Sequence, residues 1–249
     1  MKTIFLLSSL LIASCVTSNK TNRMKSVATY TNDTIIQVPV LTINKKNFTR
    51  VKNVHLSHSV GGKPISEETI IQLKYDANFL VIKFECKDNP RLNQNYYTKD
   101  NTALFNQEVF EIFITNGALA SEKYIEIQLN PNNALYLSKI SYRYKSDEKF
   151  KSEAIDTKTS GVEHSVKKDI ENHSWSGSLR IPLSLLQYPK AISKTTYRLN
   201  MFRIISNKDQ TDKKWRNSAD NAIFGCWSST MAQKPQFHAP DYFGFLLLK

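Results

Sequence analysis

The sequence predicts an all-β protein folded as an antiparallel β-sandwich. From Thr69 onward apolar and polar residues alternate with period two, and the runs are short and divided by Asn, Asp, Gly and Pro. No amphipathic stretch reaches helical length, apart from one turn expected at Leu183 to Leu186 after Pro182. No repeat of fixed period is present. The chain has 249 residues, and removing a leader and a polar stretch leaves a body of about 200, which fits one large β domain.

Residues 1–15 read as a leader. Met1-Lys2 is basic, Ile4 to Ala13 is an apolar run too short to span a bilayer, and small residues close the segment. Ile12-Ala13-Ser14-Cys15 resembles the lipobox of bacterial lipoproteins. The resemblance implies a lipidated Cys15 as mature N-terminus and attachment to a membrane by acyl chains. The alternative is an ordinary leader with a chance cysteine. Either way the chain is expected to be exported, which disfavours cytosolic nucleotide or coenzyme metabolism. Lipidation would place it in the cell envelope, at the outer membrane on its periplasmic or surface face. Residues 16–33, rich in Thr, Ser, Asn and Lys, are expected to be a flexible tether, and residues 34–249 the sandwich.

Within the body, Leu80, Ile82, Phe84 and Cys86 share one face of a strand over Phe79 to Cys86, with Lys83 and Glu85 opposite. Over Val109 to Ile114, Phe110, Ile112 and Ile114 take one side, leaving Val109, Glu111 and Phe113 on the other. Tyr124 to Asn130 alternates more cleanly. Ile125, Ile127 and Leu129 point inward, while Tyr124, Glu126, Gln128 and Asn130 form an outward row without lysine, suited to hydrogen bonding. Asn130-Pro131-Asn132-Asn133 turns the chain into a strand over Ala134 to Lys139. Further strands are expected at Val162 to Lys168, Trp175 to Ile181, Tyr197 to Ile205 and Phe243 to Leu248.

The formal net charge is +12, a balance that favours acidic partners in general. The lysines are scattered over turns and strand edges, where Lys also blocks unwanted sheet pairing. A solvated basic surface and a site for uronate or sulfated glycans are both compatible with that pattern, and nucleic acid is not an expected partner of the exported body. Besides Cys15 the chain holds Cys86 and Cys226. An exported address permits them to pair, with two buried free thiols as the alternative.

Enzyme signatures are mostly missing: no phosphate-cradling glycine loop, no nucleophile elbow, and no paired-cysteine zinc motif. His55 and His58 lack a third ligand at sensible spacing. Glu108 and Glu111 are an odd number of residues apart, so on a regular strand they face opposite sides. Glu111 and Glu126 can share a face of adjacent strands, where they would serve either as an acid/base pair or as acceptors for sugar hydroxyls.

Several landmarks occur in order. They are Leu73-Lys74-Tyr75-Asp76, Phe79-Leu80-Val81, Asp88, Asp100, Phe105 to Ile114, Tyr124-Ile125-Glu126 and Asn130-Pro131. Ile181-Pro182, Asn200 with Arg203, Trp227, and Phe237-His238-Ala239-Pro240 before Phe243-Gly244 follow. This set resembles family 9 carbohydrate-binding modules and their DOMON-like relatives across about three-quarters of the chain. The resemblance implies an immunoglobulin-like or jelly-roll-like sandwich that grips sugar between two aromatic rings, with structural calcium in some members. Phe105 and Phe237 fall where well-known clamps of the family carry tryptophan. The resemblance further implies Glu111, Glu126, Asn200 and Arg203 as sugar contacts, and Asp88, Asp100 and Glu108 as calcium ligands, while Trp227 is assigned to core packing. The family's opening, a short strand followed by tryptophan, is absent, and Phe48 to Pro64 carries Gly61-Gly62 and two histidines instead.

The function expected from these residues is non-catalytic binding of oligo- or polysaccharide, needing no cofactor. The sugar would be captured for separate glycan-degrading enzymes or transporters. The rivals are a glycoside hydrolase using Glu111 and a second carboxylate, a structural envelope lipoprotein with a protein partner, and a haem carrier.

Overall fold

The period-two runs fold as strands, with ends shifted by a residue or two. A computed structural model describes residues 25–31, 34–141, 151–210 and 215–249. The leader, Cys15 and the tether up to residue 24 lie outside the described residues, as do residues 32 and 33. In chain order the strands are β1 (Ser26–Thr31), β2 (Thr34–Ile43), β3 (Thr49–Arg50), β4 (His55–His58), β5 (Pro64–Tyr75), β6 (Phe79–Cys86), β7 (Val109–Asn116) and β8 (Lys123–Leu129). There follow β9 (Leu135–Ser141), β10 (Lys151–Ala154), β11 (Glu163–Asp169), β12 (Ser174–Pro182), β13 (Thr196–Ser206), β14 (Ala222–Cys226) and β15 (Gly244–Leu248). The turn after Pro182 is a single 3-10 turn at Leu185–Gln187. β1 corrects the expected tether: Ser26–Thr31 pairs antiparallel with β2 along its whole length.

Two sheets result. One runs β10-β9-β8-β7-β13-β14-β4, and β15 joins β13 ahead of β14, carrying β2 in parallel register. The other runs β5-β6-β12-β11, with β3 on the free edge of β5. β5 connects them, since its first half pairs with β4 and its second half with β6. All other pairings are antiparallel.

The core lies between the sheets. Phe110, Ile112 and Ile114 of β7 and Ile125, Ile127 and Leu129 of β8 meet Ile82 and Phe84 of β6 and Trp175, Leu179 and Ile181 of β12. Each such side chain contributes about 1.5–3 kcal/mol by leaving water. Phe84 stacks on Phe110 at 4.0 Å between centroids and takes the edge of Trp175 at 5.0 Å. Its ring also covers Gly177, where a Cβ would stand 2.3 Å from the nearest ring atom. Glycine is therefore the residue that this stack admits. Trp227 packs in the same core, as its sequence assignment requires.

One polar cluster is buried between the sheets. Arg203 Nε donates to Glu108 Oε1 at 2.8 Å, Trp175 Nε1 donates to the same oxygen at 2.9 Å, and Asn89 Nδ2 donates to Oε2 at 2.6 Å. Arg203 also donates to the carbonyls of Glu68 and Lys87. This satisfaction is what makes a buried charge pair tolerable.

The body cysteines take the second of their two alternatives. Cys86 and Cys226 are both free and buried, so no disulfide staples the sandwich; burial pushes both thiols well above their ordinary range. The proposed calcium ligands do not form a donor set. Glu108 has both oxygens committed to Arg203, Trp175 and Asn89. Asp88 accepts the Glu68 amide, and Asp100 accepts from the Leu135 amide and the Thr157 hydroxyl. Among the described residues no three His, Cys, Asp or Glu side chains are grouped as a metal site. These acids hold loops and strands, and they do not fit calcium.

Candidate functional site

The candidate site lies on the face of the first sheet turned away from the core. Every residue of β7 is buried, because its outward side chains are covered as well. Val109 and Phe113 of β7, Tyr124 of β8 and Phe202 and Ile204 of β13 pack there with Leu104, Phe237 and Phe243 from loops. The cover is incomplete. It leaves an open hollow of about 380 Å³, within the range of about 300–1,000 Å³ common for small-ligand sites.

The sheet supplies Glu111, Phe113, Glu126 and Tyr136 to this hollow, and the loops supply Phe105 and Phe237. Phe105 sits on a 3-10 turn at Leu104–Asn106 whose anchor, Leu104, is fully buried, and Asn217 donates to the Phe105 carbonyl. Phe105 itself is 41% exposed. Phe237 is 6% exposed; it stacks on Phe202 at 4.2 Å with 18° between planes and meets Phe224 at 5.7 Å. One ring is fixed and one is free at the surface.

Glu111 stands directly across from Gln128, and Phe113 from Glu126, so the two carboxylates are diagonal neighbours on adjacent strands. Glu111 is 1% exposed, and its Oε1 has no hydrogen-bond partner. Glu126 Oε1 accepts from Gln128 Nε2 at 2.5 Å, while Gln128 Oε1 is itself unpartnered. Burial holds Glu111 well above the usual carboxylate range, and the nearby Glu126 charge adds to the shift. Burial also raises Glu126, to about 7, against the lowering hydrogen bond from Gln128. His238 shares a 2.6 Å hydrogen bond with the Tyr124 hydroxyl and stacks on Phe113 at 5.0 Å. Burial lowers its pKa to about 4, so the imidazole is neutral near pH 7. Among the described residues the lining contains no Lys or Arg.

Four expected sugar contacts, Phe105, Glu111, Glu126 and Phe237, thus line one hollow although up to 132 positions apart in sequence (237 − 105). Asn200 and Arg203 do not join them. Asn200 is on the outward face but fully buried: its side chain donates to the Ser228 carbonyl and accepts the Ser228 amide, fixing the loop after β14. Arg203 points between the sheets to Glu108. They stand three positions apart, an odd offset, so one strand cannot present both on one face. Residues that the expectation omitted include Phe113, Tyr136, Phe224 and His238. Phe113 had a readable signal, since it lies two positions from Glu111 on the same side.

Chemically the hollow offers apolar ring faces beside buried oxygen acceptors. No family model matches this chain. Among curated proteins it is 25% identical over 219 residues, 85% of this chain and 89% of the relative, to a protein of Arthroderma benhamiae named "Extracellular protein". Its fold is similar to that of a Bacteroides uniformis protein assigned to carbohydrate binding, with TM-score 0.60 and 14% identity over 84% of this chain and 99% of the other. It is also similar to a family 9 carbohydrate-binding module of Caldicellulosiruptor kristjanssonii in its glucose complex, with TM-score 0.51 and 16% identity, covering 84% of this chain and 95% of the other. The cellotriose complex gives TM-score 0.52 at 16% identity, over 84% and 93%. At these identities the likeness establishes the β-sandwich fold.

Proposed function

We propose that this chain binds carbohydrate non-covalently in the hollow between Phe105 and Phe237, with Glu111 and Glu126 accepting hydrogen bonds from sugar hydroxyls. The observation that carries the reading is the convergence of those four side chains on one open concavity. Ring faces take the C–H patches of a pyranose, and buried carboxyl oxygens take its hydroxyls. The family 9 fold likeness, including modules solved with glucose and cellotriose, supports it. Phe in place of Trp presents less stacking surface, so affinity is modest.

The same reading makes the protein exported and lipid-anchored through Cys15, concentrating glycan at the cell envelope for degrading enzymes or transporters. The name of the curated relative, "Extracellular protein", supports the export part. A glycan array followed by calorimetry on the soluble body tests binding; a body that takes no saccharide, with or without calcium, ends the proposal. A Cys15→Ala chain that stays membrane-attached with unchanged processing ends the anchor.

A second reading, a glycoside hydrolase, is favoured by the placing of two carboxyls, Glu111 and Glu126, as diagonal neighbours in one open hollow, where burial raises Glu126 toward the range of a general acid. It requires glycan turnover that Glu126→Gln abolishes while binding persists.

A further inference from the structure

We infer that the hollow selects a sugar carrying a free ammonium group, a deacetylated hexosamine, over neutral sugars, and rejects uronates. The inference rests on the carbohydrate reading of this site and names the class of sugar.

The first ground is an imbalance of hydrogen-bonding groups. Glu111, which lines the hollow, has its Oε1 buried without a partner; Gln128 Oε1 is unpartnered as well, in the side chain that holds Glu126, but Gln128 does not line the hollow. Unpaired buried acceptors cost about 1–3 kcal/mol each, more when charged, until a donor arrives. An ammonium group brings three donors and no acceptor. A hydroxyl brings one donor, and a carboxylate brings none.

The second ground is the sign of the charge. The chain carries a net +12, yet the described lining holds Glu111 and Glu126, a neutral His238, and no Lys or Arg to meet an anion. A uronate there would bring a negative charge into a low-dielectric site that holds no cation and whose two carboxyls already disfavour ionising together. Aromatic rings complete the arrangement: Phe105, Phe113, Phe224, Phe237 and Tyr136 line the same space, and ring faces attract a desolvated cation as well as pyranose C–H groups. The raised carboxyl pKa values agree with this geometry, since burial and mutual repulsion disfavour an ionised pair until a cation neutralises it.

Calorimetry at pH 7 on the soluble chain tests it with five probes: a glucosamine trisaccharide with free amines, its N-acetylated counterpart, cellotriose, trigalacturonate and 1,5-diaminopentane. The free-amine trisaccharide is expected to bind about tenfold or more tighter than cellotriose and the N-acetylated trimer, the change one charged hydrogen bond brings. Trigalacturonate is expected not to bind, and the diamine to bind about tenfold or more weaker than the free-amine trisaccharide, because it lacks the ring faces. In Glu111→Gln the ratio of free-amine to cellotriose affinity is expected to collapse toward one, with circular dichroism verifying the fold. Equal affinity for cellotriose and the free-amine trimer overturns the selectivity and leaves carbohydrate binding standing. Uronate binding as tight as the amine sugar, or diamine binding as tight as the trisaccharide, also overturns it. Failure of every saccharide to bind overturns both the inference and the reading beneath it.

Discussion

Arg203 and Glu108 form a 2.8 Å ion pair in which neither side chain is exposed to solvent. The pair ties β13 to the segment before β7, and through Trp175, Glu68 and Lys87 it reaches the second sheet. Its role is structural, so Arg203→Met or Glu108→Leu alone strands a buried charge and should cost about 3–5 kcal/mol, whereas the double replacement should cost much less. Denaturant unfolding of the three variants measures this coupling. Additive losses would mean that the two residues do not act as a unit.

The two body cysteines make a second, simpler expectation. Cys86 and Cys226 are free and buried, with thiols held protonated by their surroundings. Intact mass should not change with reductant, and iodoacetamide should label neither thiol in the folded body while labelling both in denaturant. Labelling of either under native conditions contradicts the burial.

The strands legible in the sequence are those with one solvated or one plainly different face. β6 alternates Leu80, Ile82 and Phe84 with Lys83 and Glu85, and β8 alternates isoleucines with Glu126 and Gln128. β4, β10 and β14 are too short or too irregular to show a period, and β1 is a polar hairpin arm that composition alone reads as tether. The site follows the same logic. Parity along β7 and β8 places Glu111 and Glu126 together, and the resemblance supplies Phe105 and Phe237, which no periodicity could join across so many turns. β13 defeated the reading because all but its first residue are buried, so apolar spacing does not say which side Arg203 takes. Its odd separation from Asn200 sets the two on opposite faces of the strand, a parity legible in the sequence.

Phe105 and Phe237 should separate binding from stability. Phe105 is 41% exposed, so Phe105→Ala should change stability by no more than about 0.5 kcal/mol while weakening sugar binding about three- to tenfold. Phe237 stacks on Phe202 and meets Phe224 edge-on, and Phe237→Ala should cost about 3 kcal/mol or more through the cavity it leaves. Thermal melts and calorimetry on both variants check the contrast. If Phe105→Ala binds sugar as the parent does, Phe105 is not part of the platform.

The paired carboxyls give a pH dependence of definite sign. A carboxyl raised in the folded state stays protonated while its unfolded counterpart ionises, so folding loses stability as pH climbs from the ordinary value near 4.5 to about 7 for Glu126, and further for Glu111. His238 works the other way, losing stability as pH falls from 6.5 toward 4. The other titratable groups near the pair are the Tyr136 hydroxyl, whose pKa is raised mainly by burial, and the buried Cys226 thiol, so neither ionises in this window. Comparison with the variant Glu111→Gln/Glu126→Gln isolates the carboxyl part because His238 is common to both chains. The two proteins should differ least in melting temperature near pH 4.5, and the variant should gain steadily on the parent up to pH 8. Parallel melting curves across that range would show that Glu111 and Glu126 ionise as freely in the folded protein as in the unfolded chain.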